Sequence, residues 1–364
     1  MIDKSKILES FEGEDFDFDL LESFDILIDS INKEANLTFL GTKAIEYQIK
    51  QHLNNRFNIS KYYSEVTKEK ISKPIIVIGL PRSGTTFLFS LLSKDSENRS
   101  PLFWEMMKPL PLVKRNSLNR KLRVFKSDLT LAFKNRIIPN LDDLHAIKSN
   151  NPEECLLIKV FALQSILYFY MANTPSYLNY LSTCNTSIGY SWHKKFLRIL
   201  EAQEKPQRWL LKDPSHLGNL DEILEFYPDA SFVHITRDPV ETIPSICSLT
   251  AQVRKGFSNY IDLKDLGMQT LQFWELSNER NEKQRQKLSN DQYIQVKYSD
   301  LLDDPINLMV DIYKNFSLPL NDLTLNKMES YIEEGSRKER AKHEYCLEDY
   351  GLGRSEVHNK LGYS

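Results

Sequence analysis

The feature that most constrains the fold of this chain is a strand-like run that leads through a glycine-containing loop toward a helix. Residues 74–78 read Pro-Ile-Ile-Val-Ile, an unbroken β-branched run typical of a central strand buried on both faces. The loop 79–86, Gly-Leu-Pro-Arg-Ser-Gly-Thr-Thr, follows at once, and leucines at helical spacing come after it. In this arrangement, backbone N–H groups and the positive end of a helix can cradle phosphate.

Further strand and helix signals alternate along the rest of the chain. Strands are predicted at 208–211, 231–236 and 292–296, with helical stretches at 217–226 and 265–290. Such alternation predicts an α/β fold: a P-loop-type central parallel β-sheet flanked by helices on both faces. The apolar stretch within 153–172 is interpreted as a buried helix, one of the helical insertions. We expect one domain, 1–364, with an acidic helical arm at 1–70.

Composition narrows the classes of protein further. With 41% hydrophobic residues and a net charge of −3, the chain is neither disordered nor a nucleic-acid binder that works through bulk positive charge. The most apolar stretch, 156–172, is shorter than the roughly 20 residues of a transmembrane helix, and the N-terminus lacks the pattern of a signal peptide. Four cysteines without a C-x-x-C pair argue against a thiolate metal site and for a reducing, cytoplasmic location.

Charge is distributed unevenly. Residues 1–30 hold ten acidic and two basic residues, a balance of −8, whereas residues 108–136 hold nine basic residues and one acidic residue, a balance of +8. The basic segment 108–136 fits two interpretations equally well: a mobile cover over an anionic ligand, or the solvated face of a helix.

The loop has the glycine spacing of a Walker A motif but not its lysine. Thr85 stands at the lysine position, and the basic residue is Arg82, inside the loop. Since a nucleoside triphosphate needs that lysine and Mg²⁺, the loop suits a phosphate group with less charge. Downstream, Arg237 and Ser245 supply a guanidinium and a hydroxyl that suit a second anion, and Pro244 is expected to kink the helix between them.

Together the motifs PRSGTTFL, ITRDPVETIPS and VKYSDLLDDP resemble those of the sulfotransferase family that uses 3′-phosphoadenosine 5′-phosphosulfate, in its bacterial-type branch. The resemblance covers residues 73–355 and implies that residues 100–200 form a helical cover on the acceptor side. It implies a 5′-phosphosulfate site at Arg82, Ser83, Gly84, Thr85 and Thr86, a 3′-phosphate site at Arg237 and Ser245, and adenine contacts from Phe87 and Tyr298. Arg337 and Lys338 match, more loosely, the basic C-terminal loop of the cytosolic branch.

The chemistry implied is transfer of a sulfuryl group to a hydroxyl, in preference to an amine, of a small-molecule or lipid acceptor, with no metal required. Lys212, together with Arg82, would stabilise charge on the leaving oxygen. His145, Glu105 and His216 are the candidates for the general base. Position alone does not choose among the three.

Two other functions fit parts of the sequence. One is a P-loop nucleotide kinase with a degenerate Walker A loop, which would need Mg²⁺ and a triphosphate. The other is a catalytically inactive nucleotide-binding module, in which Lys212 and the candidate bases are dispensable. No motif identifies the acceptor or the oligomeric state.

Overall fold

A parallel sheet forms the centre of the protein. The computed structural model describes residues 1–63, 71, 73–114, 117–137, 147–336 and 346–362. The five strands are β1 (Ile75–Ile78), β2 (Asn98–Arg99), β3 (Arg208–Lys212), β4 (Ser231–Thr236) and β5 (Tyr293–Lys297). They lie in the order β2-β3-β1-β4-β5 and every neighbouring pair is parallel.

Both faces of the sheet are covered by helices. Ile76 and Ile78 of β1 pack in one core cluster, and Ile75 and Val77 pack in the other. Alternate side chains of one strand are therefore buried on opposite faces, as the unbroken apolar run predicted. The predicted α/β fold with a central parallel sheet is confirmed, and so are its four predicted strands. The two-residue strand β2 was missed because it is too short to show a period.

In the described part of the chain, helices connect and flank these strands. They are α1 (Lys4–Glu9), α2 (Phe18–Glu34), α3 (Phe39–Tyr63), α4 (Thr85–Leu92), α5 (Phe103–Met107), α6 (Leu118–Ile137), α7 (Leu156–Lys159), α8 (Leu167–Met171), α9 (Pro175–Thr183), α10 (Ser187–Gln203), α11 (Leu220–Phe226), α12 (Pro239–Lys255), α13 (Leu263–Arg285), α14 (Tyr298–Asp303), α15 (Pro305–Asn315), α16 (Asp322–Ser336) and α17 (Arg354–Leu361). No helix among the described residues is long and apolar enough to cross a bilayer.

The acidic residues 1–30 lie in α1 and α2, and α3 follows them. Phe16 and Phe57 lie 5.1 Å apart between ring centroids, within a group of packed phenylalanines. The buried guanidinium of Arg56 donates to Asp17 Oδ2 at 2.7 Å and lies 4.0 Å from the ring centroid of Trp192 in α10. These contacts tie the N-terminal helices to the helices that cover the sheet.

The apolar stretch 156–172 is buried as expected, but the prediction of one continuous helix is wrong. Two short helices, α7 and α8, are separated by a 3₁₀ turn (Val160–Ala162) and by Leu163, whose φ of +52° is left-handed. The hydroxyl of Tyr177 donates to the carbonyl of Leu163 at 2.7 Å. A tertiary hydrogen bond therefore satisfies a backbone carbonyl at the break in the helix.

Helix α12 starts as the sequence indicated. Asp238 is its N-cap and accepts from the N–H of Val240 at 2.9 Å, with Pro239 at the first helical position. Pro244 lies inside the helix, which continues beyond it to Lys255. The start of α12 lies beside the carboxyl end of β4, where ligands bind in sheets of this kind.

Candidate functional site

The loop after β1 is held in a conformation that few sequences adopt. Gly79 (φ +143°) and Gly84 (φ +100°) lie in the region that favours glycine, and Arg82 (φ +68°) is left-handed. A Cβ on Gly84 would lie 2.5 Å from the ring of Tyr298, and one on Gly79 would lie 2.3 Å from the carbonyl oxygen of Ile235. Both glycines are therefore required by close contacts as well as by their torsion angles.

The loop residues have different roles. Ser83 is fully buried, and its hydroxyl donates to the carbonyl of Leu80 at 2.7 Å, so its side chain closes the loop. Gly84 is the N-cap of α4 and provides no capping side chain. The first N–H groups of α4, at Thr85 and Thr86, thus begin a helix whose positive end faces the cavity described below.

Arg82 links the loop to α12. Its Nε donates to Ser245 Oγ at 3.1 Å, and its carbonyl accepts from Arg237 Nη1 at 3.4 Å. Arg237 also pairs with Glu241, and its guanidinium lies 4.4 Å from the ring centroid of Tyr298. The fold brings together residues that the sequence placed at two separate phosphate sites.

Lys212 lies at the end of β3, deep beside the same loop. Its side chain is 2% exposed, its Nζ donates to Thr86 Oγ1 at 3.3 Å, and it forms an ion pair with Glu154. The N–H of Cys155 donates to the carbonyl of Lys212 at 2.8 Å, which fixes the segment that carries Glu154 against the end of β3. A lysine so buried needs a partner of opposite charge, and Glu154 is that partner.

A cavity of about 550 Å³ lies beside the loop, and Lys212 and Ser245 are not among the described residues that line it. On one side lie Arg82, Gly84, Thr85, Thr86, Phe87, Arg237 and Tyr298. Glu153 and Glu154 also face it, whereas much of the remaining wall is apolar and includes Leu157, Leu167, Met171, Leu249, Val253 and Phe257. The cavity therefore joins a cationic side at the loop to an apolar side, with the carboxylates of Glu153 and Glu154 in its wall.

None of the three candidate bases is among the described residues that line this cavity. Glu105 is buried and is not among the described residues that line the cavity. Its Oε1 accepts from Arg99 Nη2 at 3.0 Å and its Oε2 from the N–H of Leu102 at 2.9 Å. Burial raises the pKa of the Glu105 carboxyl, and Arg99 opposes that change. His145 lies outside the described residues, as do Arg337 and Lys338.

His216, the third candidate, lies in a buried polar cluster instead. Its Nδ1 is 2.8 Å from the hydroxyl of Tyr190, and burial lowers its pKa well below the usual value. His216, His193 and Cys155 place three possible metal-ligand atoms within 4.8 Å of one another, a cluster that the cysteine spacing did not suggest. The nearby Lys159 cation lowers the pKa of both histidines further. The cluster lies next to the buried ion pair of Lys159 and Asp213, whose charged atoms are 3.7 Å apart, and we assign the cluster no ligand.

Sequence reasoning missed Glu154. Its signal was present in Asn150-Asn151-Pro152-Glu153-Glu154, where two carboxylates directly precede a buried apolar run. An acidic side chain at such a boundary either caps the next helix or meets a buried cation. Only the position of Lys212 in the structure shows that Glu154 meets a buried cation.

Comparison with known proteins gives one family. Residues 74–322 match the family model described as the Sulfotransferase family. The curated omega-hydroxy-beta-dihydromenaquinone-9 sulfotransferases Stf3 of Mycobacterium bovis and Mycobacterium tuberculosis are each 22% identical over 283 residues. The match covers 71% of this chain and 66% of each relative, so the chain spans just under two thirds of their length.

Two crystal structures share the fold over nearly the whole chain. The sulfotransferase STF1 from Mycobacterium tuberculosis H37Rv superposes with a TM-score of 0.84 at 29% identity, covering 99% of this chain and 98% of that one. The sulfotransferase STF9 from Mycobacterium avium gives a TM-score of 0.88 at 21% identity, covering 100% and 95%. The sheet and the helices that carry the candidate site are thus those of an experimentally known architecture.

Proposed function

Because this chain belongs to the sulfotransferase family, we propose that it transfers a sulfuryl group from 3′-phosphoadenosine 5′-phosphosulfate to the hydroxyl of an apolar small-molecule or lipid acceptor. The observation that carries the proposal is the position of Lys212. Its Nζ contacts Thr86 of the anion-binding loop and also pairs with Glu154, a carboxylate in the wall of the shared cavity. Donor-side and acceptor-side groups therefore meet at one buried cation.

The residues present fit the nucleotide. When bound, the donor supplies the sulfuryl group and a phosphate that leaves with the electron pair of the broken bond. The N–H groups at the start of α4 and the guanidinium of Arg82 would hold its 5′ end, as helix N-termini and arginine hold anions. Arg237 and Ser245, which contact opposite ends of Arg82, would hold the 3′-phosphate. Phe87 and Tyr298, both in the cavity wall, would contact the adenine.

Lys212 would stabilise the charge that develops on the leaving oxygen. An ammonium buried in a low-dielectric site interacts with such a charge more strongly than an exposed one. Its link to Thr86 Oγ1 keeps it at the loop, and no side-chain rearrangement is needed to bring it there. The absent Walker lysine is thus replaced by a lysine from a neighbouring strand.

We propose Glu154 as the general base, in place of Glu105, His145 or His216. Of the carboxylates considered, Glu154 both faces the cavity and contacts Lys212. It would accept the proton of the acceptor hydroxyl as the hydroxyl oxygen attacks sulfur. Glu105 is held by Arg99 and by the N–H of Leu102, so its role would be to cap α5.

The acceptor would be an alcohol with a sizeable apolar part. The cavity wall around Leu157, Leu249 and Phe257 is apolar. Burial of the hydrocarbon part of an acceptor against this wall would provide binding energy. The name of Stf3, a relative at 22% identity, specifies a hydroxylated dihydromenaquinone. That substrate combines a hydroxyl group with a largely apolar body, as we propose here.

Calorimetry with two nucleotides tests the proposal. Adenosine 3′,5′-bisphosphate should bind without Mg²⁺, and ATP with Mg²⁺ should bind at least tenfold more weakly, since the loop lacks the Walker lysine. Incubation with labelled donor and a set of apolar alcohols should then yield sulfated product. Preference for ATP with Mg²⁺ would favour the kinase alternative. An inactive nucleotide-binding module would be favoured by tight bisphosphate binding that Lys212→Ala does not change, together with no sulfuryl transfer to any alcohol.

A further inference from the structure

Helix α6 presents its large apolar side chains to solvent. Leu118, Leu122, Phe125 and Leu129 are 71%, 46%, 58% and 55% exposed. Their spacing of four, three and four residues places them on one face of the helix, within a sector of about 60°. We call these four residues the apolar stripe. The opposite face packs on the protein, where Ser127 and Leu131 are buried.

The helix is anchored on its inner side. Arg123 donates from Nη1 to the carbonyl of Lys108 at 3.1 Å and from Nη2 to that of Pro111 at 2.5 Å. The guanidinium of Arg120 lies 5.6 Å from the ring centroid of Trp104 in α5. The apolar stripe is therefore the outward face of a docked helix.

Basic side chains border the apolar stripe on both sides. At 100° per residue, Lys121 and Lys126 fall on opposite flanks of the stripe, and both are exposed, with the exposed Asp128 on the same flank as Lys121. Lysines in such positions can extend their ammonium groups toward lipid phosphates while their stems lie along the apolar surface. An apolar stripe flanked by lysines is typical of helices that lie in the interface of a bilayer with anionic lipids.

The helix also lies near the acceptor side of the cavity. It packs on α5, whose Phe103 lines the cavity. Ile147, which follows α6 in the chain, lines it as well. Helix α6 is therefore separated by α5 from the cavity that would hold an apolar acceptor.

We propose that α6 binds the surface of an anionic bilayer through Leu118, Leu122, Phe125 and Leu129, with Lys121 and Lys126 contacting lipid phosphates. A second copy of the chain fits less well, because pairing two stripes would bring their flanking lysines together. Any link between membrane binding and the acceptor rests on the proposed function. Membrane binding itself does not, and it can be tested without turnover.

The test is sedimentation of the full chain with vesicles of phosphatidylcholine alone and of phosphatidylcholine with phosphatidylglycerol. We expect binding to the anionic vesicles that weakens as salt is raised, and at least tenfold weaker binding to neutral ones. The double variant Phe125→Ser/Leu129→Ser should bind anionic vesicles at least tenfold less tightly. Lys121→Glu/Lys126→Glu should bind them at least as poorly, since two attractive charges become repulsive.

Matched controls distinguish binding through the apolar stripe from nonspecific binding through other exposed apolar side chains. Met268 and Leu323 are 61% and 63% exposed on other helices, and Met268→Ser/Leu323→Ser should bind vesicles as the parent does. All these positions are exposed, and calorimetry with adenosine 3′,5′-bisphosphate verifies that each variant retains its donor site. If that binding fails in the parent as well, the proposed function is wrong while the vesicle result still stands.

Three results would overturn the proposal. The first is that the parent does not bind anionic vesicles, and the second is that Phe125→Ser/Leu129→Ser binds them as tightly as the parent. In the third, light scattering would show a dimer that Phe125→Ser/Leu129→Ser dissociates, with no vesicle binding. That last result would identify the stripe as an interface between two copies.

Discussion

Lys212 and Glu154 form an ion pair at the end of β3, with side chains that are 2% and 15% exposed. Burial makes the pair sensitive to the loss of either charge, and Glu154 is the member of the pair that lines the cavity. The residues are 58 positions apart in the chain. Their contact is the structural basis for assigning Glu154, and not a histidine, as the base.

Glu154→Gln should lower turnover by about 10²–10⁴-fold, because the amide cannot accept the hydroxyl proton. Affinity for adenosine 3′,5′-bisphosphate should change by less than about threefold, since the proposed nucleotide contacts remain. Glu105→Gln is the matched control: it alters another buried, paired carboxyl and should reduce stability with little effect on turnover. If steady-state kinetics showed instead that Glu105→Gln lowers turnover and Glu154→Gln does not, Glu105 would be the general base.

Ser245→Ala should weaken binding of adenosine 3′,5′-bisphosphate by about 3- to 30-fold, because it removes the proposed hydrogen bond to phosphate and the hydroxyl to which Arg82 Nε donates. Arg82→Ala should have a larger effect, since a charged contact is lost. Calorimetry measures both, with Arg285→Ala as a surface control. Unchanged affinity in both site variants would show that the nucleotide binds elsewhere.

Glu241→Gln should strengthen bisphosphate binding by about 2- to 5-fold. Glu241 is paired with Arg237 and so would compete for the same guanidinium with the 3′-phosphate that we propose Arg237 binds. The pair is partly exposed, so the gain should be small and should shrink as salt is raised. Calorimetry at two salt concentrations is the measurement, and weaker binding in the variant would mean that Glu241 positions Arg237 instead.

Stability should fall in acid because of buried histidines. Burial lowers the pKa of His234 to about 3, whereas an unfolded chain protonates histidine near pH 6.5. The unfolded state therefore binds more protons below pH 6.5, and the free energy of unfolding should fall from there toward pH 3.

Urea unfolding between pH 7 and pH 4.5 measures that slope. His234→Gln should remove up to about 1.4 kcal/mol per pH unit of it. Tyr293→Phe removes the hydroxyl that His234 Nδ1 contacts at 2.6 Å but keeps the titrating ring, so it should lower stability and leave the slope unchanged. Equal slopes for parent and His234→Gln would show that His234 is protonated in the folded state.

For linear alcohols, kcat/KM should rise by about fourfold per added methylene until the apolar wall is filled, as expected for burial of about 0.8 kcal/mol per methylene. Leu249→Asn should flatten that dependence, since Leu249 is part of the wall. Rates with the shortest alcohol serve as the control and should change little. A flat chain-length series in the parent would refute an apolar acceptor.

The sequence sufficed for four of the five strands of the central sheet and for the position of the loop that follows β1. β-Branched runs bounded by proline and glycine mark strands through local sterics, and the predictions for β1, β3, β4 and β5 were confirmed. The loop between Gly79 and Thr86 was recognisable because phosphate binding needs glycines and helix N–H groups at fixed spacing. Those requirements are local and can be read one segment at a time.

The sequence did not suffice for the stretch 156–172, for the base or for the outward face of α6. Apolar periodicity could not show that Tyr177 would bond to the carbonyl of Leu163 at a helix break. Nor could spacing show that Glu154 meets Lys212, or that Leu122 and Phe125 face solvent while Ser127 is buried. These outcomes depend on which elements pack together, and contacts between residues far apart in the chain have no local signature. The chain's own residues thus determined an α/β sheet with a glycine-containing loop after β1, and tertiary packing decided which carboxylate pairs with Lys212 and which face of α6 remains exposed.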